Sequence, residues 1–112
     1  MLSYALLNFE AADELGLRGK IKAQDLAVLE AIRLQRVYPE RVSLQMGELE
    51  YNLVTTKFLM DALPFVIEDP SEVPQIEKRL KDAGLISVLA MEDGRVFIST
   101  TEKADALTSM AI

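Results

Sequence analysis

Residues 86–100 read ISVLAMEDGRVFIST, and their pattern decides the fold. Asp93-Gly94 permits positive φ at both central positions of a type I′ turn, between two short apolar runs. The spacing predicts an antiparallel hairpin in which 87–92 pair with 95–99, Met91 faces Val96 and Leu89 faces Ile98. Just before it, Ser71 can cap a helix whose Val73, Ile76, Leu80 and Ala83 recur on one face. Pro74 is tolerated there because the first turn has no intrahelical donor to lose. Gly84 stops that helix and Leu85-Ile86 follow it into the core. Just after the hairpin, Thr100 or Thr101 can cap a last helix through Lys103, Ala104 and Leu107.

Further toward the N-terminus, Thr55 or Thr56 can cap a short helix holding Phe58, Leu59, Ala62 and Leu63, which Pro64 ends, with Phe65 to Ile67 as an apolar link. Residues 42–54 alternate in two short extended pieces separated by Gly47: Val42, Leu44 and Met46, then Glu50 to Val54. Asp25 can cap a helix to about Val37, with Leu26, Val28, Leu29, Ile32 and the flank of Leu34 inward, Arg33 and Arg36 outward, and Pro39 ending it. Tyr4 to Phe9 is a short apolar stretch, and Glu10 to Leu15 reads as a helical turn or two between Asn8 and Gly16. The predicted core is Leu26, Leu29, Ile32, Phe58, Leu63, Ile76, Leu80, Leu89 and Ile98.

The chain has 112 residues, 50% hydrophobic and 27% charged, which suits one domain with a core of its own over 1–112. Its charge-free runs fall far short of the ~20 apolar residues that span a bilayer. No basic n-region precedes Glu10, so a secretory leader is not expected and a cytoplasmic location is. Cysteine and histidine are both absent. Thiolate metal sites, cysteine nucleophiles and His-based acid/base chemistry are thereby excluded, and the expectation is a non-enzymatic protein without metal or cofactor. Gly19-Lys20 lacks the spacer and the Ser/Thr of a phosphate loop. Glu10, Asp13 and Glu14 read as an N-terminal charge preference and not as a metal site.

The order helix, extended pieces, short helix, helix, hairpin and terminal helix predicts an α+β winged helix-turn-helix, mainly helical, with a C-terminal β-hairpin wing. IEKRLKDAGLI at 76–86, MEDGRVFIST at 91–100 and TEKADAL at 101–107 resemble the recognition helix, wing and following helix of the MarR-type regulators. YALLNFEAADELGL at 4–17, the helix near 25–37, Tyr51, ALPFV at 62–66 and the EKRLKDAGLI helix together resemble the N-terminal winged-helix domains of phage and plasmid replication initiators, or replisome organisers. These resemblances imply binding of double-stranded DNA in replication or transcription control, with helix 71–83 in the major groove.

With Val73, Ile76, Leu80 and Ala83 inward, a helical wheel turns Gln75, Lys78, Lys81 and Asp82 outward and puts Arg79 on the flank. Ser71, Gln75, Lys78, Arg79, Lys81 and Arg95 are therefore the candidate DNA-binding residues. Gln75 suits adenine, Lys78 or Arg79 a guanine or phosphate, and Arg95 at the hairpin tip the backbone or minor groove. Charge argues the other way. Residues 1–42 carry six basic and six acidic side chains and residues 43–112 six basic and twelve acidic, so the half with the reading helix holds the whole −6. Lys78, Arg79 and Lys81 also read as a solvated face paired with Glu77 and Asp82. The alternative is accordingly a protein interaction or dimerisation module of the same fold. Met46, Met60, Met91 and Met110 read as core filler. The apolar ends, Met1 to Leu7 and LTSMAI, would suit a homodimer through the terminal segments.

Overall fold

The computed structural model describes residues 20–35 and 40–109. Among them are helices α1 (Ala23–Leu34), α2 (Thr56–Ala62), α3 (Glu72–Asp82) and α4 (Glu102–Ser109), and strands β1 (Ser43–Met46), β2 (Leu49–Leu53), β3 (Ile86–Ala90) and β4 (Val96–Thr100). The strands form one antiparallel sheet in the order β1-β2-β4-β3, and the fold is α+β. Readings that fall on 1–19, 36–39 and 110–112, among them the Glu10 to Leu15 helix, Arg36, Pro39 and the terminal homodimer contact, lie outside the described residues.

Each helix end has a local cause. Thr55 accepts a hydrogen bond from the Phe58 N–H at 3.0 Å and caps α2. The Thr101 hydroxyl accepts from the Ala104 N–H at 3.3 Å, which makes Thr101 the cap of α4, and donates to the Gly84 carbonyl at 2.7 Å. At the end of α3 the Gly84 N–H reaches the Lys81 carbonyl and the Leu85 N–H reaches the Leu80 carbonyl, the two bonds of a Schellman motif. Gly84 takes the positive φ, +77°, that this motif requires. Asp25 is not the cap of α1. The helix begins two residues earlier, and Asp25 in its first turn accepts from the Lys22 N–H at 2.8 Å.

The core lies between the helices and one sheet face. Leu26, Val28, Leu29 and Ile32 of α1, Leu59 and Leu63, Val73, Ile76 and Leu80 of α3, Leu85, Ile86, Ile98 and Ala104 share one buried cluster, with Phe58 half-buried against it. Leu34 and Met46 are not part of it: each is about half exposed, 51% and 50%. Leu34 lies with Ala27, Glu30 and Ala31 along an open cleft against Phe58 and Ala62, whereas the next residue, Gln35, is buried and donates to the Leu53 carbonyl of β2 at 2.6 Å. Phe65 is 96% exposed, whereas Ile67 is buried. Both the Val66 and Ile67 N–H groups bond the Leu63 carbonyl, a tight turn that carries Ile67 inward and leaves Phe65 at its tip.

The hairpin register differs from the expected one by one residue. Val88 pairs with Ile98, Leu89 with Phe97 and Ala90 with Val96. The Met91 N–H bonds the Arg95 carbonyl and the Gly94 N–H bonds the Met91 carbonyl, so the loop has three residues, Glu92 to Gly94. Only Gly94 has positive φ, +91°, which fits a type I turn followed by a left-handed glycine and not a type I′ turn. The Asp93 carboxylate supplies the reason, because it accepts from the Arg95 N–H at 3.0 Å and holds its own backbone in the ordinary region. A one-residue shift exchanges faces. Leu89 therefore sits opposite Phe97, on the side away from Ile98 and outside the core cluster. Tyr51 shares that second side, and its hydroxyl bonds the Ser87 hydroxyl at 2.8 Å, tying β2 to β3 across β4.

A Cβ at Gly94 would meet nothing within 4 Å, so its substitution tests conformation alone. Gly94→Ala is expected to cost about 1–2 kcal/mol in urea unfolding, the usual penalty of a left-handed L-residue. A neutral result would show that the loop readily adopts another turn.

Candidate nucleic-acid interface

Helix α3 is anchored by Val73, Ile76 and Leu80, all buried, and this spacing turns Gln75, Lys78, Lys81 and Asp82 to solvent as the wheel predicts. Its start is built differently from expectation. Ser71 has helical φ and ψ and its side chain makes no capping bond. Instead, Glu72 accepts from the N–H groups of Glu68 and Asp69 at 2.9 and 3.1 Å, and Asp69 accepts from the Ser71 N–H at 2.8 Å. These backbone bonds hold the Glu72 and Asp69 carboxyls below their ordinary values. The first turn is consequently negative and stays so.

Arg79 does not lie free on the flank. Its Nε donates to both Asp25 carboxylate oxygens, at 3.1 and 2.8 Å, and its Nη2 donates to Oδ1 at 2.8 Å. The Asp25 side chain is wholly buried and that of Arg79 is 25% exposed. This fork-on-carboxylate pairing consumes the planar edge with which an arginine would read guanine. Arg79 is thus a structural cation joining α3 to α1.

The remaining cations are neutralised more loosely. Lys78 Nζ donates to Asp82 at 2.6 Å, one helical turn on, and both groups are well exposed. Arg95 Nε donates to Asp93 at 2.7 Å, and its guanidinium lies 5.5 Å from the Phe97 ring centre. Among the described residues Lys81 has no ion pair. Exposed pairs of this kind contribute at most ~1 kcal/mol, so a phosphate can displace either carboxylate at little cost.

Glu77 is the residue that helical spacing did not single out. It sits between two clefts, one of about 370 Å³ against Thr55, Thr56 and the Asp93–Val96 loop, the other of about 300 Å³ against Pro74, Lys81 and Val88. Burial without an ion-pair partner among the described residues raises its carboxyl above the ordinary value. The groove between α3 and the β3–β4 loop therefore has a carboxylate in its lining. Among the described residues, no group of three acidic side chains is arranged to hold a metal ion, and no helix is long and apolar enough to cross a membrane.

No family model, curated protein or solved structure matches this chain.

Removing Arg79 would strand a buried carboxylate. Arg79→Ala is expected to cost about 3–5 kcal/mol in chemical unfolding, and Arg79→Lys to recover only part because a lysine cannot form the fork. Equal stability of all three proteins would disprove the anchor role. For Glu77 the folded carboxyl binds its proton more tightly than the unfolded one, so ionisation opposes folding and stability falls as pH rises above the ordinary 4.5. Glu77→Gln should then raise the melting temperature at neutral pH, with the gain vanishing as pH is taken below 4.5. A gain of the same size at both extremes would contradict this assignment.

Proposed function

We propose that the chain is a winged-helix DNA-binding domain in which α3 enters the major groove and the β3–β4 loop is the wing. The element order supports this reading: a helix, a pair of strands, two helices, a hairpin and a last helix, with β2 against β4 in the sheet. The observation that carries it is the exposed row Gln75, Lys78 and Lys81 on a helix that the core and the Asp25–Arg79 pair hold rigidly. Residues three apart on a fixed helix can meet successive base edges or phosphates. Arg95 supplies the cation on the wing side. Arg79 has no part in contact here and serves to orient the helix. Replication or transcription control is the setting that the sequence resemblances suggest.

Glu77 favours a second reading. A half-buried carboxylate in the groove repels a duplex and attracts a basic side chain, so the same groove suits a protein interaction module with a lysine- or arginine-bearing partner.

Fluorescence anisotropy with random-sequence duplex across a salt series separates the two. DNA binding predicts affinity that falls steeply with salt, with Lys78→Ala and Lys81→Ala each lowering the slope by about one. Glu77→Gln should tighten that binding. Absence of binding at low salt, with and without Glu77→Gln, would sink the DNA reading and leave the interaction module.

A further inference from the structure

Among the described residues β1 is an edge of the sheet, and its side chains and backbone divide cleanly between two directions. The Leu53 N–H bonds the Val42 carbonyl at 2.8 Å, which fixes Val42, Leu44 and Met46 as the residues whose backbone groups face β2. The N–H and C=O groups of Ser43 and Gln45 therefore point away from the sheet. Both residues are exposed, and the Gln45 amide reaches no farther than the Gly47 carbonyl, at 3.0 Å. The apolar side chains of the strand lie on one face with Leu49, where Val42 is 50%, Met46 50% and Leu49 47% exposed and Leu44 between them is half-buried. Edge strands are normally protected by a charge, a proline or a bulge. The stretch Val42 to Met46 has none of these. β3, the opposite edge, differs because Val88 packs against the core and lines a cleft with α3.

We propose that β1 pairs antiparallel with β1 of a second copy about a two-fold axis at Leu44, joining the two sheets into one of eight strands. The register follows from the strand itself. Directly opposed residues share a face, so a two-fold pairing that puts apolar against apolar must be centred on a residue. Centred on Leu44, Val42 lies opposite the partner's Met46, Leu44 opposite the partner's Leu44, and Ser43 opposite the partner's Gln45. Centring on Ser43 would set Met46 against the partner's Glu40, and centring on Gln45 would set Val42 against the partner's Glu48. The Leu44 centre also makes Ser43 and Gln45 the hydrogen-bonded pair, which uses all four outward backbone groups of each copy. A second copy is thus the occupant whose apolar spacing and outward backbone groups both match this edge. The contact is isologous and closes as a dimer. The paired stretch is only Val42 to Met46, against the roughly 20–30 residues a side of a standard interface, so the dimer is weak and forms at high concentration. The pairing does not depend on DNA binding.

Sedimentation velocity of the full chain from low micromolar to about millimolar concentration tests it, with a monomer-to-dimer shift expected. Gln45→Pro removes an N–H that β2 does not use, which an edge strand tolerates. It should leave the circular dichroism unchanged and weaken dimerisation about tenfold or more. Leu44→Cys introduces the only thiol in a chain without cysteine. Opposed across a non-hydrogen-bonded pair, it should form an intermolecular disulfide on mild oxidation, far faster than a Glu48→Cys control. A monomer at every concentration, a dimer indifferent to Gln45→Pro, or equal cross-linking of the two cysteine variants would each overturn the proposal.

Discussion

The carboxylate of Asp25 is the point on which the arrangement of helices depends. Its two oxygens accept three bonds from the Arg79 guanidinium and one from the Lys22 N–H, so one buried group closes the first turn of α1 and grips the last turns of α3. A charge with no exposure is costly to desolvate, and here the cost is offset by a bidentate counter-ion and a backbone donor. Apolar packing between the two helices has no comparable directionality. Leu26, Leu29, Ile76 and Leu80 fix which face of α3 is buried, and the planar guanidinium fork adds a directional constraint at its edge. The angle at which α3 presents Gln75, Lys78 and Lys81 to solvent thus rests on its buried apolar face together with an ion pair at the flank of that face.

The same pair explains why sequence spacing went furthest for the helices and least for the charges. The apolar period of α3, its glycine stop, the Thr55 cap and most of the buried residues are local properties, carried by residues three or four apart, and they were legible. Arg79 and Asp25 are 54 positions apart. On a helical wheel Arg79 is a flank cation like any other, and only the packing of α1 on α3 converts it from a candidate DNA contact into an anchor. Glu77 escapes the wheel for the mirror reason: a wheel treats it as solvated, but it is half-buried beside a cleft that it shares with the β3–β4 loop. The hairpin is instructive in another way. Asp93-Gly94 does mark the turn, yet the Asp93 side chain selects a three-residue loop over a two-residue one, and this moved Leu89 from the core face to its opposite.

The sheet divides the molecule's roles. Its helix-facing side, with Ile86, Val88 and Ile98, is core. Its other side is held by polar and aromatic links: Tyr51 to Ser87 across β4, and Arg95 over Phe97. Burial on that side decreases from Phe97 and Tyr51 toward the half-exposed Val42, Met46 and Leu49. On that side the least covered apolar surface therefore lies at the β1 edge, where the outward backbone groups of Ser43 and Gln45 have no partner among the described residues. Two independent deficits, one of side-chain cover and one of hydrogen bonding, meet at the same strand, and antiparallel pairing is the arrangement that relieves both.

A net charge of −6 does not by itself decide against a nucleic-acid face, because the location and mobility of each charge matter more than the sum. Glu72 and Asp69 are fixed by backbone donors at the start of α3, and Glu77 lines the groove half-buried. Asp82 and Asp93, by contrast, lie beside Lys78 and Arg95 in exposed pairs that water already screens. A phosphate approaching the middle and C-terminal turns of α3 would meet Lys81 and then Lys78, and would displace carboxylates that hold little energy. One approaching its first turn would meet charges that cannot move. If DNA docks here, the C-terminal half of α3 and the wing must therefore carry the contact, with the acidic first turn held away from the duplex. That orientation is the reverse of one led by the helix N-terminus, and it follows from which carboxylates are tied to the backbone and which are not.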